Sequence, residues 1–481
     1  MTNDKIFGSN SKNTPRADRG SDYRDYRGTA TEPESRPLKD GAVSLGRYLH
    51  PNGKLGAELF SSQNLLKRHS LIVGKTGVGK TESIIKPWAI SLLKQGASVV
   101  VVDVLGNLYP QLSQTAKELG VRLWYWNSSD LENSGSWNWL RELDLSDEDQ
   151  LEAAITSILG KPPTDEKMSF HYYLEAKWLR ALIPMVKHIF GAAVEPRHLH
   201  RLVVNQNCLK NALKQHPDLE LEYEDELNLL LCADDYKYAE ITVGLEEKLN
   251  LFKQKSVAQI SQKSDFRLCD IDKQPTLLII GDKLNNQRAG TLTSLMLNYL
   301  FSHVYDRLRG QGNTQIPLYF ILDEAPRLKN KIDFAEITSV GRGANAGICL
   351  AAQDVTQFGS ERETMKILVN CNTIITTKGV GPDSAKFLSR MLGKRKVAED
   401  TFKPDTLRSD IGSIDRGESL IWILFKKLFP NTTSTRYIDV PVLGDREIMY
   451  PPMGKYPGIV LASPVCSKPI LVELNTACRT I

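Results

Sequence analysis

Long hydrophobic runs are missing from this chain. Nowhere in its 481 residues do the roughly 20 uninterrupted apolar residues needed to cross a bilayer occur together. The longest apolar runs, such as SVVVVDVLG, are strand-sized. The opening MTNDKIFGSNSKNTPRADRGSDYRDYRG has no apolar core of a signal peptide. These absences lead to the expectation of a cytoplasmic chain that does not anchor itself in a membrane. Cysteine is sparse: seven are scattered with no C-x-x-C pair and no zinc spacing, which argues for reduced thiols packed as small apolar residues. His198-x-His200 has no further His/Cys cluster nearby and reads as structural. Nor does one sign of charge dominate. Sixty-one basic and 57 acidic residues leave a formal +4, so any nucleic-acid contact must come from a local surface.

What is present is a patterned chain, 41% hydrophobic, long enough for one large domain or two medium ones. Residues 1–42, rich in Arg, Asp, Ser, Gly and Pro, carry too little apolar surface to offset ordering entropy and read as a disordered tail. Strand-like runs then follow: SLIV (70–73), SVVVV (98–102), RLWYW (122–126), TLLII (276–280), LYFIL (318–322), GICLAA (347–352), TIITT (373–377) and SLIWILF (419–425). Near-continuous apolar strands mean burial on both faces, the signature of a mainly parallel sheet covered by helices, so the fold class is α/β. TESIIKPWAISLLKQG reads as the first crossover helix, ending at Gly96.

Between 145 and 260 the strand signals vanish. Ser146-x-x-Asp149 looks like a helix start, Gly160 stops that helix, and SFHYYLEAKWLRALIPMVKHIF reads as a second, kinked at Pro184. ADDYKYAEITVGLEEKLNLF makes a third. The expected organisation is a discontinuous nucleotide-binding domain over 43–144 and 261–440, an inserted all-α domain over 145–260 and a C-terminal extension over 441–481. The tryptophans 124, 126, 137 and 139 read as packing rather than base-stacking residues. The run GKRKVAED (393–400) is either a DNA-facing basic patch or a solvated helix end.

The chemistry concentrates in GKTGVGKTES. Gly74, Lys75, Thr76, Gly77, Val78, Gly79, Lys80 and Thr81 form a complete P-loop, with Glu82 opening the helix behind it. Glycines let backbone N–H groups turn toward a phosphate, Lys80 reaches the β/γ oxygens of ATP, and the Thr81 hydroxyl suits Mg²⁺. The strand before and the helix after supply the required context. LYFILDEAPRL adds an acidic pair after a buried strand: Asp323 to hold the Mg²⁺ water shell and Glu324 as general base toward the attacking water. Asp103 and Gln353 each follow a strand, and sites in open parallel sheets form beyond the strands' carboxyl ends. Arg68 and Arg342 are either arginine fingers for a neighbouring subunit or surface salt-bridge residues.

The order of these motifs resembles that of the type IV secretion coupling proteins, the conjugative DNA-transfer ATPases. The matching segments are GKTGVGKTES, VVVVD, SGSWNWLREL, LYFILDEAPRL, GRGANAGICLAAQDVTQF and NCNTIITTKGVGPDSAKFLSRMLG. The resemblance implies a RecA-like hexameric ring that spends ATP to move DNA, single-stranded and carried with a relaxase, into a secretion channel. It assigns hydrolysis to Lys80, Thr81, Asp323, Glu324 and Gln353, and trans contacts to Arg68 and Arg342. Two departures stand out. The family usually begins with transmembrane helices, so docking at the inner membrane through a partner subunit, or a soluble variant, is implied. After Asp103 the family's charged stretch is replaced by VLGNL. Two other functions share the motifs: a secretion ATPase that moves proteins or builds a pilus, and an adaptor that uses the nucleotide only to stabilise a ring.

Overall fold

A computed structural model of the chain describes residues 42–50, 53–104, 106–281, 289–310, 315–402, 433–451, 455–462 and 469–474. The expected tail up to residue 41 and the expected strand at 419–425 lie outside them. The described residues fall into two compact units, one of residues up to 381 together with those from 450 onward, the other of residues 382–449.

The larger unit is built on one sheet. Its parallel part holds β3 (Ser70–Val73), β4 (Ser98–Asp103), β5 (Arg122–Trp126), β6 (Thr276–Gly281), β7 (Leu318–Leu322), β8 (Ala346–Ala352) and β9 (Thr373–Thr377) in the order β9-β3-β8-β7-β4-β6-β5. All seven coincide with apolar runs of the sequence. These strands are buried on both faces, and alternate residues serve each side: Val99, Val101, Ile279 and Ile321 pack toward Trp88, Leu92 and Leu112, while Phe320 meets Phe301 on the other face.

Four further strands extend the β9 edge antiparallel, in the order β2-β1-β13-β12: β1 (Ala42–Leu49), β2 (Leu55–Ser62), β12 (Pro457–Ala462) and β13 (Ile470–Glu473). None of these was expected. The stretch 441–481, read as an extension, thus contributes two strands to the main sheet, with Tyr48 paired to Val472.

The crossover after β3 departs from a plain α-helix. Thr81–Ile85 forms a π-helical turn, closed by the Lys86 N–H on the Thr81 carbonyl, before the α-helix α1 (Lys86–Lys94) begins. Pro87 accounts for this: it has no N–H, and its ring collides with the carbonyl four residues back, so the turn widens. Gly96, at φ +76°, ends the segment in the left-handed region.

From Glu148 to Ile260 the described chain contains helices and no strand. The first is α2 (Glu148–Leu159), whose N-cap is Asp147, accepting from the Gln150 amide at 3.2 Å; the expected Ser146 start is one residue early. The long helix Glu166–Phe190 keeps Pro184 inside it, and Asp234 caps Asp235–Leu249. The C-terminal end of α2 is bound to the segment after β7. Lys331 Nζ donates to the carbonyls of Ser157 (2.6 Å) and Ile158 (3.3 Å), and the Lys161 amide donates to the Asn330 carbonyl at 2.5 Å. The four tryptophans are buried, Trp124 stacking on Phe266 at 5.0 Å. His198 accepts from the Glu195 amide and stacks on Phe190, and His200 pairs with Asn250.

In the smaller unit, the helix Pro382–Leu392 is followed by a two-stranded hairpin of β10 (Lys394–Phe402) and β11 (Thr433–Pro441). The basic run at 393–400 is therefore strand, not helix end, paired residue by residue from Lys394–Pro441 to Phe402–Thr433.

Candidate nucleotide site

Four adjacent strands, β3-β8-β7-β4, point their carboxyl ends to one rim. In register, Val73 lies beside Ala352, Leu350 beside Leu322, and Leu322 beside Val102. The residues that follow these ends are the P-loop, Gln353, Asp323–Glu324 and Asp103, so the sheet itself assembles them.

The loop after β3 is anchored by the Gly74 amide, which donates to the Ala352 carbonyl at 3.0 Å. Gly77 and Gly79 hold φ of +79° and +87°, where other residues are strained. A Cβ on Gly77 would meet nothing within 4 Å, leaving the loop open on that side; on Gly79 it would come 2.9 Å from the Tyr456 ring, and on Gly74 1.7 Å from Thr377 Oγ1. Lys75 and Thr76 are exposed at the loop, Val78 is half-buried, and Glu82 is exposed and pairs with Lys86 at 3.7 Å.

Lys80 turns inward. Its Nζ donates to the Gly74 carbonyl at 2.5 Å and stands 3.9 Å from Glu324 Oε1. Burial lowers its pKa, against the pull of Glu324 and Asp323, which favour the charged form. Burial in turn raises the Asp323 pKa, opposed by Lys80. Thr81 Oγ1 donates to Asp323 Oδ2 at 3.3 Å. A hydroxyl and a carboxylate held together this way are the hard oxygen donors that Mg²⁺ prefers.

Glu324 sits at φ +54°, ψ +40°, a left-handed conformation costing a non-glycine residue about 1–2 kcal/mol. It receives a hydrogen bond from Gln353 Nε2 at 3.0 Å on Oε2. The structure thus brings Lys80, Thr81, Asp323, Glu324 and Gln353 together.

Asp103 shares the rim, but its carboxylate is committed locally: the Gly106 amide donates to Oδ1 at 2.9 Å and the Leu108 amide to Oδ2 at 2.6 Å. It shapes the turn into the helix Leu108–Glu118, and the VLGNL stretch supplies the amides. Arg68 and Arg342 are not brought to this pocket. Arg68 precedes β3, and Arg342 lies in the turn Gly341–Ala344 before β8, so both stand at the amino ends of strands whose carboxyl ends hold the site. Thr377 and Tyr456, which close on the P-loop glycines, carry no motif and could not be singled out from sequence.

The family profile described as "Type IV secretory system Conjugative DNA transfer" matches residues 18–416. The Type 4 coupling protein DotL of Legionella pneumophila is 29% identical over 108 residues, which make up 22% of this chain and 13% of DotL's own length. Among solved structures, unbound TrwBdeltaN70, a bacterial conjugative coupling protein, aligns with a TM-score of 0.61 at 15% identity, covering 87% of each chain. Plasmid coupling protein TrwB in complex with ADP and Mg²⁺ aligns with a TM-score of 0.61 at 16% identity, covering 94% of this chain and 98% of TrwB. At these identities the likeness to TrwB speaks for the fold. With the profile spanning most of its length, the chain belongs to the family of type IV secretory system conjugative DNA-transfer proteins.

Proposed function

We propose that this chain hydrolyses ATP with Mg²⁺ and couples the turnover to delivering DNA, single-stranded with its relaxase, to a secretion channel. In this reading it works as a homo-hexameric ring held at the inner membrane by partner subunits. Among the described residues no helix is long and apolar enough to cross a membrane. TrwB, whose fold is shared, is known in complex with ADP and Mg²⁺ and with the ATP analogue ADPNP.

The observation that carries the proposal is the chain Lys80–Glu324–Gln353 beside Thr81–Asp323. Glycine amides and the Lys80 ammonium bind and orient the phosphates. Thr81 and Asp323 would hold Mg²⁺, which when bound supplies charge neutralisation at the phosphate oxygens. Gln353 occupies one carboxylate oxygen of Glu324 and leaves the other to accept a proton from water as its oxygen attacks the γ-phosphorus, yielding ADP and phosphate. Arg68 and Arg342, remote from their own chain's site, act on the site of the next protomer.

The test is steady-state ATPase of the purified chain with and without single-stranded DNA. Turnover rises with DNA, the stimulation weakens with salt as phosphate contacts are screened, and both Lys80→Ala and Glu324→Gln abolish it. Hydrolysis by an assembled ring that ignores DNA but responds to a secreted protein would replace DNA by protein cargo. DNA delivery that survives Glu324→Gln but not Lys80→Ala would reduce the nucleotide to a structural ligand.

A further inference from the structure

Three non-glycine residues among those described have a positive φ: Glu324, His69 and Asn345. Left-handed conformations at bulky residues persist only where the surroundings enforce them, and they cluster at functional positions. Glu324 is the general base proposed above. The other two flank the remote arginines: His69 follows Arg68, and Asn345 ends the turn that bears Arg342.

His69 is a buried link between the two arginine segments. Its Nδ1 accepts from the Ile348 amide, at the start of β8, at 3.1 Å. The Thr338 backbone, in the helix that leads into Arg342's turn, lies beside the imidazole and favours its charged form. With Nδ1 accepting an amide proton, the ring's donor nitrogen is Nε2, which fixes the tautomer. The ring also seats against Gly341, the first residue of the Arg342 turn: a Cβ there would lie 2.7 Å from His69 Cε1. On the backbone side, the amides of Asn372 and Thr373 donate to the carbonyls of Arg68 and His69, so the segment is pinned to β9. The far end of the Arg342 turn is held separately, because the buried Arg307, paired with Asp272, donates from Nη1 to the Ala344 carbonyl at 3.3 Å. Arg342 itself is exposed.

We infer that His69 is a positioning residue for the trans-acting arginines, its ring fixing the Arg342 turn against the Arg68 segment so that a neighbouring protomer meets both guanidinium groups as one rigid pair. The inference rests on the reading that these arginines complete the neighbour's site. Burial keeps the imidazole uncharged at neutral pH, with its pKa lowered to about 4, so it adds no charge of its own to the arginine edge.

The experiment uses the full chain assembled on single-stranded DNA. Arg342→Ala is measured first; if it retains full turnover, the trans-arginine reading fails, and this inference with it. Given a loss there, His69→Asn is the critical variant, because Asn tolerates the left-handed backbone and keeps an acceptor near the Ile348 amide while losing the Thr338 contact. Misplacement of a reacting group by about 1 Å costs on the order of 100-fold, so kcat should fall by roughly that factor with the ATP KM unchanged within about twofold. Gly341→Ala, which presses on the ring while leaving His69 in place, should reproduce the loss and serves if the His69 variant does not fold. The decisive readout is mixing. Rings of His69→Asn and Glu324→Gln protomers should regain turnover that neither has alone, because the second protomer lends sound arginines to the first one's sound site. Full activity of both His69→Asn and Gly341→Ala, or a loss that mixing fails to restore, would overturn the proposal.

Discussion

Gln353 donates to Glu324 across neighbouring strands: Nε2 to Oε2 at 3.0 Å, each residue standing just past the end of its strand. The bond occupies Oε2, leaves Oε1 on the side of Lys80 Nζ at 3.9 Å, and holds a side chain whose own backbone is left-handed. Hydrogen bonds to charged groups contribute about 1.5–3 kcal/mol. Gln353→Ala should therefore lower kcat by roughly 10–100-fold with little change in the ATP KM. Steady-state kinetics check this, and a raised KM at unchanged kcat would instead make Gln353 a ground-state ligand.

The P-loop glycines should not be equivalent. Gly77→Ala meets open space and bears only the left-handed penalty of about 1–2 kcal/mol. Gly74→Ala drives a methyl to 1.7 Å from Thr377 Oγ1 and should cost more, both in thermal stability and in binding of a fluorescent ATP analogue. Thr377 Oγ1 has no hydrogen-bond partner among the described residues, so Thr377→Ala should be mild alone and should recover much of the Gly74→Ala loss. Denaturation of the four proteins of this double-mutant cycle measures the coupling.

Asp103 offers a test that separates architecture from ligand binding. Its two oxygens accept from the Gly106 and Leu108 amides. Asp103→Ala should lower stability by about 1–2 kcal/mol, as for other lost caps, while nucleotide affinity stays within about twofold. Urea unfolding and nucleotide titration together check this; a large affinity loss at unchanged stability would return Asp103 to the nucleotide.

His69 predicts a specific acid sensitivity. Its pKa falls to about 4 in the fold because burial penalises the charged ring, against about 6.5 when unfolded. Between these values the unfolded chain binds the extra proton, so the stabilisation is complete above about pH 6.5 and is lost as pH falls through about 4. The full difference is about 3 kcal/mol. Unfolding free energies across pH 4–7 should be visibly flatter for His69→Asn than for the natural chain.

The chemistry of the site was legible because each part is local. A P-loop needs its glycines, lysine and threonine in one short run, and the acidic pair announces itself directly behind an apolar strand. The parallel strands were legible for a similar reason, since burial on both faces leaves an unbroken apolar signal in each. The antiparallel edge was not. Its first two strands carry no unbroken apolar run: β2 is buried mainly on one side toward its end, β1 bulges near Gly46, and the pairing that joins β1 to β13 spans hundreds of residues, as Tyr48 and Val472 show. The widened turn after Thr81 depends on where Pro87 meets the preceding carbonyl, a matter of helix geometry rather than composition. His69 and Arg307 escaped notice because a lone histidine or arginine acquires meaning only from the distant backbone groups it holds.

The attachment of Lys331 and Asn330 to the far end of α2 makes the acidic pair and the helical insertion mechanically continuous. Helix α2 has 12 residues, a rod of about 18 Å at 1.5 Å per residue. Its carboxyl end is gripped only seven positions beyond Glu324 by a lysine that burial presses to a pKa of about 8. A displacement of the short span behind the acidic strand therefore cannot leave the carboxyl end of α2 in place without breaking these bonds.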